Sequence, residues 1–160
     1  MITGTISVAD FLRAQRLHRK SVRGWSYAFT AAALFIGTVL FFLGMKQSGL
    51  ISAFAGIGGL VGELVTAHVY LPWKVRRLHS QQKALAQPFI YSWDREYIHA
   101  QSAQGSAKRF WTDYCKVKED EEVFLLYHAD NLFEMLPKTW FVTAESLSEF
   151  RDLASGAKRT

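Results

Sequence analysis

Two long apolar segments follow each other almost directly in the first half of this 160-residue chain. The first, residues 25–45, has no charged side chain, and the second, residues 49–71, has one carboxylate, Glu63. A helix of about 20 residues crosses a hydrocarbon core ~30 Å thick, so each segment is long enough to span a membrane. Only residues 46–48 separate them, which predicts a tight turn there. We therefore expect a transmembrane hairpin within residues 25–73, with both ends on one side of the membrane.

Basic side chains flank this hairpin on both sides. Residues 1–24 and 74–83 each carry a net charge of +4, whereas residues 84–160 carry 12 acids and 9 bases. Positive charge beside a span favours the cytoplasmic side, so we expect a multi-pass protein of the cell (inner) membrane with both termini in the cytoplasm. The same cations are expected to face anionic lipid headgroups, and we expect no nucleic-acid partner. The expected headgroup-facing residues are Arg13, Arg16, Arg19, Lys20, Arg23, Lys74, Arg76 and Arg77.

Two ionisable side chains, Glu63 and His68, fall inside the second apolar segment. An intramembrane carboxylate is costly and is therefore a functional candidate. Glu63 suits either a structural or interfacial role, bonded to Thr66 or Thr30 or protonated, or an ion or proton pathway. His68 is expected to be an interfacial or packing residue.

Small residues are concentrated on the second segment, where helices can approach closely. Gly58 and Gly62 form a GxxxG pair, and Ala55 with Gly59 extends the same small surface. This pattern predicts packing against the first span, with self-association of two chains as the alternative.

The segments beside the hairpin have helical patterns. Residues 1–24 are expected to form a short extended start and then a basic amphipathic helix, with Ser7 as its N-cap. Pro72 is expected to end or kink the second span. Residues 74–87 then form a basic helical extension to about Leu85, and Pro88 stops it.

From residue 88 the pattern changes to short strands separated by turn residues. Thr143 can cap a final helix with an apolar stripe, which Gly156 ends. We expect residues 88–156 to form one cytoplasmic domain, followed by a tail at 157–160. The predicted fold class is an α+β membrane protein, with a transmembrane hairpin, a one-sheet antiparallel meander and a C-terminal helix. The expected strands cover residues 89–93, 97–101, 108–111, 114–118, 123–128 and 132–136.

The order of these parts resembles the YcxB-like family of bacterial membrane proteins, and residues 5–18 resemble the start of that family too. The resemblance implies a cytoplasmic PH-like domain whose complete sheet has seven strands, for which residues 3–7 could supply one. It implies no established biochemical activity, so it assigns no catalytic residue. The motif residues that carry it are Trp111, Asp113, Tyr114, Lys116, Val117, Glu119, Pro137 and Lys138.

Catalytic and metal-binding patterns are missing from the sequence, so we expect neither an enzyme nor a cofactor. The single cysteine, Cys115, excludes an internal disulfide and is expected to be buried. Trp111 is expected to anchor the sheet core, with a ligand-facing role as the alternative. Residues 119–122 are expected to be a solvated turn. Lys138 is expected to cap a carbonyl rather than contact headgroups.

The first functional hypothesis is therefore a membrane-anchored binding or scaffolding module. Its cytoplasmic domain would bind a protein partner, through sheet edges and turns or by strand addition. The second is a small oligomeric transport or channel component that uses Glu63 and the glycine face. A membrane enzyme is the least supported, because the sequence brings no catalytic groups together.

Overall fold

The computed structural model describes residues 1–82, 85 and 87–156, and the side chains of residues 21 and 22 are not described. The predicted tail at 157–160 and residues 83, 84 and 86 of the basic extension lie outside the described residues. The chain divides into two compact units. One unit combines Met1–His18 with Val75–Thr160, and the other is Arg19–Lys74.

The helices form in the order that the sequence predicts. α1 is Val8–Phe42, α2 is Lys46–Val65, a π-helical segment covers Thr66–Tyr70, α3 is Leu71–Gln81, and α4 is Ala144–Gly156. Two of these helical stretches, Arg23–Phe42 and Lys46–Gln81, are long and apolar enough to cross a membrane.

The turn between the two apolar helices lies earlier than predicted. Residues 46–48 begin α2, and the chain turns at residues 43–45 instead. The reason is Gly44, whose φ of +87° suits glycine and ends α1. The amide of Met45 donates to the Leu40 carbonyl (3.0 Å) and the amide of Gly44 to the Phe41 carbonyl (3.2 Å), which satisfies two terminal carbonyls.

Pro72 does not end the second helix, because α3 continues to Gln81. Proline cannot donate a backbone hydrogen bond, and its ring crowds the carbonyl four residues earlier. The backbone takes π-helical geometry just before it, and the Leu71 amide donates to the Thr66 carbonyl five residues back. The π segment thus carries the helix into Pro72. α3 stops at Gln81, short of the predicted Leu85.

The two apolar helices pack through glycines that differ in part from those predicted. A Cβ at Gly49 would lie 2.7 Å from the Phe41 amide nitrogen, and one at Gly59 would lie 2.9 Å from Thr30 Oγ1. A Cβ at Gly58 or Gly62 would meet nothing within 4 Å. The prediction that Gly58 and Gly62 pack against the first span is therefore wrong. Their spacing places them on a face turned away from α1, and Ala55 on the same helix is also exposed.

Seven strands occur among the described residues, and they form two antiparallel sheets rather than the single sheet predicted. The order is β1-β2-β3-β4 in the first sheet and β5-β6-β7 in the second. A short 3₁₀ turn at Trp111–Asp113 separates β4 from β5, which is why the meander breaks there. The strands are β1 Ile2–Gly4, β2 Phe89–Trp93, β3 Tyr97–Ser102, β4 Gly105–Phe110, β5 Lys116–Glu119, β6 Val123–Ala129 and β7 Leu132–Pro137.

The first strand comes from the start of the chain and pairs with β2. Thr3 lies opposite Ile90, and Ile2 lies opposite Tyr91. The whole apolar hairpin is therefore inserted in the sequence between two neighbouring strands of one sheet.

The beginning of α1 covers the outer face of the second sheet. Its N-terminus is capped as predicted, since the Asp10 amide donates to Ser7 Oγ (3.1 Å) and the Ser7 amide donates to the Asp10 carboxylate (3.0 Å). Phe11, Ala14 and Leu17 on its apolar side are buried. The His18 ring stacks on Phe133 (centroids 5.1 Å apart), and Lys118 Nζ donates to the His18 carbonyl (3.0 Å). Because α1 covers this face, residues 123–127 of β6 are buried without alternation.

The core between the sheets is aromatic and centres on Phe150 of α4. This ring is fully buried and packs edge-on against Trp93 (5.0 Å between centroids), Phe124 (5.2 Å) and Trp111 (5.5 Å). Thr143 caps α4 as predicted, because its Oγ1 accepts the Ser146 amide (3.2 Å).

Candidate functional site

Several residues of the predicted motif hold the fold together rather than face a ligand. Trp111 is buried as predicted, and its indole N–H donates to the Asp94 carbonyl (2.9 Å). The Asp113 carboxylate accepts the Phe110 amide (3.0 Å) and so fixes the 3₁₀ turn between the two sheets. Pro137 is buried at the end of β7. These contacts explain the motif without chemistry.

Glu119 is part of an ion-pair cluster, not of a simple solvated turn. Lys138 Nζ donates to Glu119 Oε1 and to the Asp120 carbonyl (both 2.5 Å), and Arg151 Nε donates to Glu119 Oε1 (2.9 Å). Lys138 thus caps a carbonyl, as predicted. Partial burial acts to raise the pKa of Glu119, but the hydrogen bonds from Arg151 and Lys138 outweigh it and the pKa is lowered.

A second polar cluster lies between the sheets and centres on Glu134 of β7. His128 Nε2 donates to Glu134 Oε1 (3.0 Å), and the Tyr114 hydroxyl donates to Glu134 Oε2 (3.2 Å). Arg109 Nε lies 3.0 Å from Glu134 Oε1, but it is not directed at that oxygen. The contact is therefore a charge pair, and this buried N–H has no acceptor among the described residues.

Tyr114 and Tyr91, the two tyrosines whose pKa the Glu134 carboxylate affects, stay neutral over the physiological pH range. Burial raises the pKa of Tyr114, and the nearby Glu134 carboxylate raises it further. Burial and the same carboxylate also raise the pKa of Tyr91. Tyr114 is therefore a permanent hydrogen-bond donor to Glu134, which keeps the carboxylate in place.

A cavity of about 330 Å³ opens beside Glu134, under the hairpin formed by β3 and β4. Tyr91, Ala100 and Ala107 are cross-strand neighbours and share the face that lines it. The small side chains at positions 100 and 107 leave this space between the two sheets. The lining residues are Phe89, Tyr91, Ala100, Gln101, Ser102, Gln104, Gly105, Ser106, Ala107 and Glu134.

Residues 93–154 match the model of the YcxB-like protein family. The resemblance inferred from the sequence motif is confirmed there, and the match runs from the last residue of β2 into α4. No curated protein and no solved structure matches the chain. The Glu134 cluster and most of the cavity lining lie within the YcxB-like segment.

Outside that segment, the two ionisable candidates of the second apolar helix have local partners. Glu63 Oε1 lies 3.5 Å from Arg23 Nε on α1, whereas the Thr30 hydroxyl donates to the Ser26 carbonyl (2.9 Å). His68 Nδ1 donates to the Leu64 carbonyl one turn back (3.1 Å). Glu63 is thus paired within the hairpin.

The expected headgroup-facing cations are divided between the two units. Arg13 pairs with Glu122 beside the second sheet, and Arg23 also donates to the Tyr27 hydroxyl (3.0 Å). Lys74 Nζ lies over the Tyr70 ring, 5.8 Å from its centroid. Arg16, Lys20, Arg76 and Arg77 are exposed, and Arg19 is half-buried.

The structure contradicts one expectation from the sequence and contains one cluster that the sequence did not predict. Cys115 is exposed rather than buried, because it lies just after the turn between the sheets and precedes β5. The Glu134 cluster was not predicted. Its signal was a carboxylate two residues from Leu136, in a position where strand alternation predicts a buried side chain.

Proposed function

We propose that this protein is an integral membrane protein of the inner membrane, with a cytoplasmic PH-like domain that serves as a binding or scaffolding module. The observation that carries the proposal is the insertion of the hairpin between β1 and β2. Residues on both sides of the hairpin fold into one unit, so they must lie on the same side of any membrane. An even number of crossings satisfies this condition, and two spans meet it.

The exposure of the hairpin supports a lipid environment. A helix in the core of a soluble protein is mostly buried. By contrast, only 11% of the most apolar 18-residue stretch of Arg23–Phe42, and 6% of that of Lys46–Gln81, is buried by the chain itself. Large side chains such as Phe35, Phe42, Ile51 and Phe54 are about 70% exposed or more. Contiguous apolar surface of this extent needs a non-aqueous partner, and a bilayer supplies one.

The unit formed by Met1–His18 and Val75–Thr160, here called the β-rich unit, supports the PH-like part of the proposal. It has a four-stranded and a three-stranded antiparallel sheet followed by one C-terminal helix. Together these make the seven strands that the YcxB-like resemblance implies, with β1 as the additional strand.

The open edge of β4 is the surface we propose for a protein partner. β4 is the last strand of its sheet. Ser102 and Gly105 close a two-residue turn, so the alternation of antiparallel bonding directs the amides of Ser106 and Lys108 away from β3. An extended peptide could pair with these groups by strand addition.

The topology has a direct test because the chain has one cysteine, Cys115, which is exposed. A membrane-impermeant maleimide should label Cys115 in inverted vesicles and not in intact spheroplasts. In a Cys115→Ala background, a cysteine placed at Lys46 should show the reverse. Labelling of both positions from the same side would overturn the proposed topology.

The binding role is tested with a photo-crosslinking residue at Ser106, in native membranes, and with Asn131 in the β6–β7 turn as the control position. We expect a stoichiometric protein adduct from position 106. Lys108→Pro removes one outward amide and keeps the bonds to β3, so it should abolish that adduct. Adducts to lipid alone, or an adduct unchanged by Lys108→Pro, would refute strand addition.

The transport alternative finds no specific observation in its favour. Glu63 has Arg23 as an ionic partner inside the same hairpin, which favours the structural role for this carboxylate.

A further inference from the structure

We propose that the cavity under the β3–β4 hairpin binds a small organic amine, whose ammonium group contacts Glu134 and whose apolar body lies against Tyr91 and Phe89. The proposal does not rest on the membrane topology or on a protein partner at the β4 edge, so it can stand or fall independently of the function proposed above.

The volume and walls of the cavity fit a small molecule. Its volume of about 330 Å³ lies at the lower end of the range for ligand sites, roughly 300–1,000 Å³. Phe89 and Tyr91 form one wall, with ring centroids 6.5 Å apart and planes 26° from parallel. Ala100 and Ala107 face each other across β3 and β4, so no side chain fills the space between the sheets. Such walls suit an apolar body of a few carbon atoms.

The charge of the cavity selects the polar end of the ligand. Glu134 is the one charged residue among the lining residues, and the others are neutral. Its two oxygens already accept hydrogen bonds from His128 and Tyr114, and Arg109 forms a charge pair with it. A carboxylate offers about four acceptor positions, so one further donor can bind. An anion placed beside this carboxylate would be repelled, whereas an ammonium group would be attracted.

Arg109 does not satisfy the carboxylate completely. Its Nε makes no hydrogen bond to Glu134, and its side chain is 43% exposed. Tyr91 and Phe89 line the cavity, and an ammonium group placed over either ring would be attracted by its quadrupole.

The test uses 2-phenylethylamine and its neutral analogue of the same shape, 2-phenylethanol, on the full chain in detergent micelles. Methyl-labelled alanines report binding by NMR, with Ala100 and Ala107 in the cavity and Ala154 of α4 as the internal control. At neutral pH we expect saturable shifts at Ala100 and Ala107 with the amine. The alcohol should bind at least tenfold more weakly.

Three variants separate the charge from the cavity. Glu134→Gln should weaken amine binding at least tenfold, to the level of the alcohol. Ala107→Leu fills the cavity but keeps the carboxylate, and it should abolish the shift at Ala100. Ser92→Leu makes a similar change on the opposite face of the sheet and should bind as the natural chain does.

Several results would overturn the proposal. Equal affinity for the amine and the alcohol would show that the charge of Glu134 does not contribute to binding. Undiminished binding in Ala107→Leu would show that the amine binds outside the cavity. Shifts confined to Ala53 and Ala55 of the hairpin would mean that the amine only partitions into detergent.

Discussion

Replacing Phe150 with alanine should remove much of the stability of the β-rich unit. The Phe150 side chain is fully buried and contacts rings from β2, β6 and the turn between the sheets. Phe→Ala substitutions in cores cost about 3–5 kcal/mol, and each aromatic contact adds about 0.5–1.5 kcal/mol beyond its buried area. We therefore expect a loss near the upper end, about 5 kcal/mol. Typical domains have only about 5–15 kcal/mol in total.

Amide hydrogen exchange in β6 measures this loss in the full chain, because the Leu125 and Leu126 amides lie in the buried centre of the unit. One factor of ten in exchange corresponds to about 1.4 kcal/mol, so Phe150→Ala should accelerate exchange there by roughly three to four orders of magnitude. Glu149→Ala, an exposed neighbour on α4, should change it little. Acceleration of less than about tenfold in Phe150→Ala would refute the assignment of the core to this aromatic cluster.

Three further predictions concern other parts of the chain. Gly49→Ala should force the two apolar helices apart and destabilise the hairpin by about 1–3 kcal/mol, whereas Gly58→Ala should not. The loss of helical circular dichroism during SDS titration measures both effects, and equal effects would contradict the packing described. Because the pKa of Glu119 is lowered in the folded state, its ion pairs stabilise fully above the unfolded value near 4.5 and lose that contribution as the pH falls further. Lys138→Met should flatten this acid dependence of unfolding, and an unchanged slope would show that the pair does not contribute. Cys115 should react with a maleimide in the folded protein at a rate close to that in denaturant, and strong protection would contradict its exposure.

The sequence predicted the elements whose signals are local. β2 was predicted at residues 89–93, because an apolar and aromatic run lies between Pro88 and the turn at Asp94. The helix capped by Thr143 was predicted for a similar reason. β4 begins at Gly105, whereas the predicted strand began at residue 108. The prediction missed the first residues because Ser106 and Ala107 are small and have little strand preference.

The features that were missed depend on contacts distant in the sequence. No local sequence pattern indicates whether the strands form one sheet or two. The two sheets meet at the turn Trp111–Asp113, and Phe150 of α4, which packs against Trp111, is distant in the sequence. Glycine spacing predicted close helix packing, but which glycines face α1 depends on where Gly44 places the turn. The Glu134 cluster likewise exists only because β4, β6 and β7 meet.

The pairing of β1 with β2 has a consequence for biosynthesis. Thr3 pairs with Ile90, 87 positions later (90 − 3), and the ribosome must complete both apolar helices before that partner exists. Strand pairing at such separation is slow, because a long loop has to be closed before the contact forms. Until then β2 keeps an unpaired edge, which favours aggregation. On the proposed topology, only chains whose hairpin has entered the membrane with both ends on one side can complete this sheet, so the folded domain is itself a checkpoint for correct insertion.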